Sequence, residues 1–293
     1  MKIPVTRIAS KGIRTLFTPI ELKRLAKNPA EPLSSLAETI RKARSSDFTK
    51  PEREWIDKIE RKRSGLLASD ETIQVDHFLT NDIQTGMTDE SKVEHVRDAC
   101  AASVSPSYGR LLHKLVRDTA PLKCLELGTC LGLSAAFISS ALSLNGKGQL
   151  VTLEGSSSRS AFAEHMLHDL NLTDIEFVTG PFSQTLEPLI ENYQDIEFCY
   201  IDGHHDGTAT IDYFEKISTV LSDGAIVVID DITWSDDMNR AWNTIREKAE
   251  VALTVDTYMM GICLISKGNE GGQMAQYETT FKHTHPPVAG WVL

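Results

Sequence analysis

The sequence is poor in features that mark a special environment. Its 293 residues hold five cysteines, at 100, 124, 130, 199 and 263, with no C-x-x-C pair. An odd count without metal-ligand spacing argues against a disulfide framework. Cys124, Cys199 and Cys263 fall inside strand-like runs and read as reduced core residues. No apolar run approaches the roughly 20 residues needed to cross a bilayer. The opening MKIPVTRIASKGIRTLF is basic and lacks a signal-peptide apolar stretch. A globular protein with no membrane span is expected, cytoplasmic by default. Also missing is G-x-G-x-x-G, the turn that brings a helix N-terminus to a pyrophosphate, which argues against a nicotinamide-dependent oxidoreductase.

Charge is unevenly placed. Residues 1–63 carry 16 basic and 8 acidic side chains, and the rest carry 14 basic and 33 acidic. An acidic body disfavours nucleic acid as a partner. The basic head reads as solvated helix faces or as a contact for an anionic partner.

Two textures divide the chain. Residues 1–100 read as an N-terminal helical extension and linker. Helix starts are expected at Thr18-Pro19-Ile20-Glu21, Ser35-Leu36-Ala37-Glu38 and Thr49-Lys50-Pro51-Glu52, each pairing a hydroxyl with a Glu three residues on. The polar stretch 80–91 reads as a loop. From 101 to 267, strand-like runs at 122–128, 149–154, 175–179, 196–202 and 225–230 alternate with helical stripes such as Phe162/Met166/Leu170, Ile211/Phe214/Ile217 and Met238/Trp242/Ile245. Residues 251–267 offer two further strands. Apolar strands alternating with helices predict a parallel α/β sheet covered on both faces. Residues 268–293 form a tail, in which His283 and His285 are too few for a metal site.

Ligands of doubly wound sheets bind at the carboxyl ends of the strands. Here those ends read Glu126-Leu127-Gly128-Thr129-Cys130-Leu131-Gly132, then Glu154, then Gly180-Pro181-Phe182, then Asp202-Gly203-His204-His205, then Asp230-Asp231. An acid before the first glycine repels phosphate. It suits a ligand that carries an ammonium group and ribose hydroxyls, as S-adenosylmethionine does. The glycines admit close backbone approach, and Glu154 is placed to accept from the ribose.

The segments ELGTCLGLSAA, LVTLEG, YIDGHHDGTATIDYF and VVIDDITWSDDMNRAW resemble class I S-adenosylmethionine-dependent methyltransferases. The likeness is closest to catechol O-methyltransferase-like enzymes and bacterial relatives with I-D-G-H-H and D-D-I-x-W segments. It covers about 101–267 and implies a Rossmann-like sheet of seven strands, mostly parallel, with an antiparallel last strand. By this resemblance Glu126, Gly128, Thr129, Gly132 and Ser134 line the methionine part and Glu154 holds the ribose. Gly180, Pro181, Phe182, Ser183 and Gln184 border the adenine, and Asp202 lies near the reaction centre. Catechol-type enzymes hold Mg²⁺ with an acid and an Asp-Asn pair; the matching positions are Asp202, Asp230 and Asp231. Asp stands where that family has Asn, and the family's catalytic lysine is absent, its place falling near His205.

Two readings of those acids stay open: a divalent-cation site, or carboxylates that order the loop before a helix capped at Ser235. His205 first and His204 second are candidate bases for deprotonating a hydroxyl acceptor. Trp234 is a candidate wall of the acceptor pocket. The expected activity is methyl transfer to a small-molecule hydroxyl, with a nitrogen acceptor or a non-catalytic partner protein of the same fold as alternatives. A homodimer contact through the extension is also open.

Overall fold

The computed structural model describes residues 31–77, 90–268 and 275–278. The helix start at Thr18, most of the 80–91 loop, and His283 and His285 lie outside the described residues. Two helices come first, α1 (Glu31–Ser45) and α2 (Lys50–Leu67). A hairpin of β1 (Thr72–His77) and β2 (Glu90–His95) follows, and then α3 (Val96–Ala102) and α4 (Pro106–Thr119). The sheet is built from β3 (Lys123–Leu127), β4 (Gln149–Glu154), β5 (Ile175–Thr179), β6 (Ile196–Ile201), β7 (Leu221–Ile229), β8 (Val251–Asp256), β9 (Gly261–Ile265) and β10 (Ala275–Glu278). Helices α5 (Leu133–Asn145), α6 (Ser157–Asp169), α7 (Phe182–Asn192), α8 (Gly207–Ser218) and α9 (Asp236–Ile245) connect the strands.

The strand order is β10-β8-β9-β7-β6-β3-β4-β5. Strand β9 runs antiparallel to β7 and β8, and every other pair in the sheet is parallel. The seven strands expected from the sequence are therefore present with their antiparallel last member, and β10 adds an eighth at the edge. Chain order reverses between β3 and β6, which opens a crevice above their carboxyl ends.

The pleat decides which residues can meet in that crevice. Successive strand residues point to opposite faces. Cys124, Leu150, Phe198, Tyr200, Ile226 and Val228 pack with α1 to α6 on one face. Leu125, Leu127, Val151, Leu153, Cys199, Ile201, Val227 and Ile229 pack with α7, α8 and α9 on the other. Glu126, Glu154, Asp202 and Asp230 all have the parity of the first set. A single layer of side chains above one face thus supplies four of the acids of the crevice.

That same face is where the N-terminal helices dock. Ile40 and Ile59 are wholly buried and share a core with Leu111, Leu115 and Phe137. Each such side chain contributes about 1.5–3 kcal/mol by leaving water. At the start of α2 the Glu52 carboxylate accepts from the Thr49 N–H (2.7 Å) and the Thr49 hydroxyl (2.6 Å), as the capping pattern predicts. It also pairs with buried Lys114 on α4 (2.7 Å). Burial alone would raise the Glu52 pKa, but the Lys114 and Thr49 hydrogen bonds bring it down to about 2. Two expectations need correction. Ser35 lies inside α1, which begins at Glu31, because Pro32 is well tolerated in a first helical turn. Residues 72–77 and 90–95 form strands within a region expected to be helical. The alternation Thr72-Ile73-Gln74-Val75 has the two-residue period of a half-buried strand.

Candidate active site

The loop after β3 crosses the end of β6 at very short range. Gly128 has φ +101°, and a Cβ there would sit 1.9 Å from the Asp202 carbonyl oxygen, so only glycine fits. The Gly128 N–H donates to the Leu153 carbonyl (2.9 Å), and the Asp202 N–H donates to the Leu127 carbonyl (2.8 Å). These bonds fix three strand ends against one another. Gly132 (φ +84°) begins α5, and a Cβ there would press on Met166, Ala163 and Leu167 of α6. The positive φ is what favours glycine there, and the close packing against α6 adds to it.

Glu126 is completely buried. Thr152, its neighbour across the sheet, donates to one carboxylate oxygen at 2.6 Å, and Thr129 in turn bonds Thr152 (2.6 Å). Burial lifts the Glu126 pKa to about 7, against the hydrogen bonds from Thr152 and Ser134. Its other carboxylate oxygen is buried without a hydrogen-bond partner, as is the Ser183 hydroxyl at the start of α7. Unpartnered buried polar atoms are costly, and these two lie at the carboxyl ends of the strands.

Glu154 is held differently. Its two oxygens accept from the Cys130 N–H (2.8 Å) and the Ser156 N–H (3.0 Å). Burial raises its pKa, and the charge of Arg159 opposes the rise. Gly180 donates to the Glu154 carbonyl (2.9 Å), which brings the Gly180-Pro181-Phe182 turn to the same edge. Gln184 lies exposed on the first turn of α7.

On the other side of the crevice the acids crowd together. Ligand atoms of Asp202, His205 and Asp231 lie within 4.8 Å of one another. The His205 Nδ1 is 3.4 Å from an Asp231 oxygen. The sequence had grouped Asp230 with Asp202 and Asp231. Here one Asp230 oxygen accepts from the Asp231 N–H (2.7 Å) and the other from the buried Tyr200 hydroxyl. Tyr200 also contacts Asp202 (3.0 Å). His205 completes the cluster with Asp202 and Asp231 in its place.

Burial raises the pKa of Asp202 to about 6, with His205 pulling it down and Asp231 pushing it up. Burial raises Asp230 and Asp231 to about 7, with their acidic neighbours adding to the effect. Desolvation works against a charged His205, yet Asp202, Asp231 and Asp230 outweigh it and raise its pKa. Two oxygen donors and one imidazole nitrogen, set among acids pushed towards neutrality, fit a divalent cation.

His204 and His205 share an origin and diverge in setting. His204 is packed among Phe182 and Tyr213, and its Nδ1 meets the Tyr213 hydroxyl (2.6 Å). Burial lowers its pKa. His205 is 39% exposed at the rim, and its ring lies 6.0 Å from that of Trp234, itself 53% exposed. Cys130, His204, His205 and Asp231 all have positive φ. Each costs about 1 kcal/mol or more in a non-glycine residue, and these four gather at one rim. Ser235 caps α9 itself, accepting from the Met238 N–H (3.1 Å), so the helix start makes no use of the acids.

Sequence reasoning missed Thr152, Tyr200 and Tyr213. Thr152 and Tyr200 lie two residues before Glu154 and Asp202, and the two-residue pleat repeat is the signal that finds them. Tyr213 meets His204 only through the fold.

The comparisons agree with this geometry. Residues 125–232 match a family model described as a methyltransferase domain. A catechol O-methyltransferase of Niastella koreensis is 27% identical over 165 residues, covering 54% of this chain and 72% of that protein. The O-methyltransferase of Bacillus cereus, solved in complex with SAH, has a TM-score of 0.50 at 23% identity over 65% of this chain and 92% of its own. An SAH-bound methyltransferase of Podospora anserina has a TM-score of 0.50 at 15% identity, covering 72% and 96%. At such identities the two solved structures speak to fold. The match of residues 125–232 to the methyltransferase-domain family and the likeness to the O-methyltransferase relative support a class I S-adenosylmethionine-dependent methyltransferase.

Proposed function

We propose that the enzyme methylates a hydroxyl oxygen of a small molecule, with a divalent cation at Asp202, Asp231 and His205. The observation that carries this reading is the convergence of those three side chains beside the glycine crossing. When bound, S-adenosylmethionine supplies a methyl group on a sulfonium, and a divalent ion supplies Lewis acidity towards the acceptor oxygen.

The chain's own residues bind and align. Each Glu154 oxygen keeps a lone pair after its backbone bond, so the carboxylate can accept from both ribose hydroxyls. The free Glu126 oxygen faces the amino-acid end of the cofactor directly or through water, and a cation there would favour its charged form. Gly128 lets the backbone close on the methionine part, with Thr129, Gly132 and Ser134 shaping that end. Gly180, Pro181, Phe182 and Ser183 border the adenine. In-line alignment of acceptor and methyl supplies much of the acceleration, because the sulfonium is already reactive. Trp234 walls the acceptor side.

A second reading has its own observation. The exposed His205 paired with Asp231 is arranged as a general base oriented by a carboxylate. Turnover with a catechol-type acceptor after exhaustive chelation separates the two. Loss of turnover restored by Mg²⁺ or Mn²⁺ supports the cation, and undiminished turnover refutes it. A cytoplasmic location and a homodimer through the N-terminal helices belong to this reading; size-exclusion chromatography with light scattering tests the latter.

A further inference from the structure

A tyrosine before the matched domain reaches the acid-rich side of the crevice. Tyr108, in the first turn of α4, is buried. Its hydroxyl donates to the Thr257 carbonyl (2.6 Å) and accepts from the Met259 N–H (3.3 Å). Both groups lie on the turn between β8 and β9. The same Met259 is joined to the loop after β7, since its carbonyl accepts from the Ile232 N–H (2.9 Å). Ile232 directly follows Asp231. On the other side of that residue, the Asp231 N–H donates to an Asp230 oxygen (2.7 Å). Asp231 has φ +54°, and Tyr258, inside the turn, has φ +82°. Non-glycine residues keep such backbone only where the surroundings over-determine it.

We infer that Tyr108 is a positioning residue for the cation cluster, its hydroxyl fixing the turn whose Met259 carbonyl clamps the backbone just past Asp231. The inference rests on the cation reading proposed above. Groups that orient a ligand carboxylate tune metal affinity although they never touch the ion. A phenol suits the task, because one hydroxyl both donates and accepts and so bridges two backbone groups of the turn. Helix α4 packs on α1, so this bridge ties the N-terminal helices to the acid-rich side of the crevice.

The test is Mn²⁺ binding by the full chain, read by electron paramagnetic resonance, beside S-adenosylhomocysteine binding read by calorimetry. Tyr108→Phe keeps the ring and removes the hydroxyl. It should raise the Mn²⁺ dissociation constant about fivefold and leave that for S-adenosylhomocysteine within about twofold. In an Asp231→Asn background the same change should cost nothing further, because Tyr108 acts through Asp231. The unaltered protein gives a second readout that does not depend on how well the variant folds. Coupling is reciprocal, so saturating Mn²⁺ should slow hydrogen exchange at the Met259 and Ile232 amides by a similar factor. An unchanged Mn²⁺ affinity, equal weakening of both ligands, an additive double variant or unaltered exchange overturns the inference and leaves the cation reading standing. A wild-type chain that binds no Mn²⁺ overturns the cation reading and this inference with it.

Discussion

The two halves of the crevice treat negative charge in opposite ways. Above β3, β4 and β5 each acid has its own partners: Glu126 receives Thr152, and Glu154 receives two backbone N–H groups and the field of Arg159. Above β6 and β7 three aspartates face one another and His205, and among the described residues only Tyr200 and one backbone N–H donate hydrogen bonds to their carboxylates. The first half is supplied with hydrogen-bond donors by the protein and keeps one Glu126 oxygen open, which suits a ligand of hydroxyls and an ammonium group. The second holds more negative charge than the protein balances. Preorganised hydrogen-bond donors make a site for a neutral or zwitterionic guest, and unbalanced carboxylates make one for a cation.

The sharpest way to break this contrast is to remove charge where the halves meet. Asp202→Asn should lower turnover about a thousandfold, because one group serves both the cation cluster and the crossing. Steady-state kinetics showing less than a tenfold loss would deny it that position. His205→Ala should reduce turnover about a hundredfold and leave the dissociation constant for S-adenosylhomocysteine unchanged. A parallel loss of cofactor affinity would erase the division between halves. Glu154→Gln should do the reverse, weakening cofactor binding about thirtyfold with a smaller effect on turnover at saturation; calorimetry decides.

Proton binding sharpens the contrast further. Asp202, Asp230 and Asp231 titrate near 6, 7 and 7 in the folded protein, against about 3.9 for an unperturbed aspartate. The folded state then binds more protons than the unfolded one between pH 4 and 7, so stability falls as pH rises through that range. His205 works in the same direction: its raised pKa contributes stability below about 6.5 that is lost as pH rises through its folded value. The metal-free thermal midpoint should drop by about 5 °C from pH 5 to pH 7.5, and millimolar Mn²⁺ should flatten the curve. A flat metal-free profile would mean the aspartates are balanced after all. The smallest effect is expected at the mouth, where Trp234→Ala should raise the acceptor KM about threefold and leave the cofactor KM unchanged.

Much of this was legible in the chain itself. Strand limits, the helical stripes and the set of polar strand ends follow from local periodicity, and parity along each strand would have put Glu126, Glu154, Asp202 and Asp230 on one face. That Asp230 turns to Tyr200 and the Asp231 N–H, leaving Asp202, His205 and Asp231 grouped, was not legible, because it depends on which way a carboxylate turns once Tyr200 offers it a proton. The ion pair of Glu94 on β2 with Arg159 on α6 was hidden too. It spans 65 residues and depends on a hairpin whose alternation is short and whose strands carry few apolar residues. Long-range pairings between charged side chains leave no periodic trace.

Gly128 and the Asp202 carbonyl sit so near that not even a methyl group can come between them. In the proposed reading, the floor beneath the reacting atoms is therefore a backbone joint with no adjustable spacer. Engineering a different acceptor must work through the walls, such as Trp234 and the segment around His205, since any residue bulkier than glycine at that joint would force the ends of two strands apart.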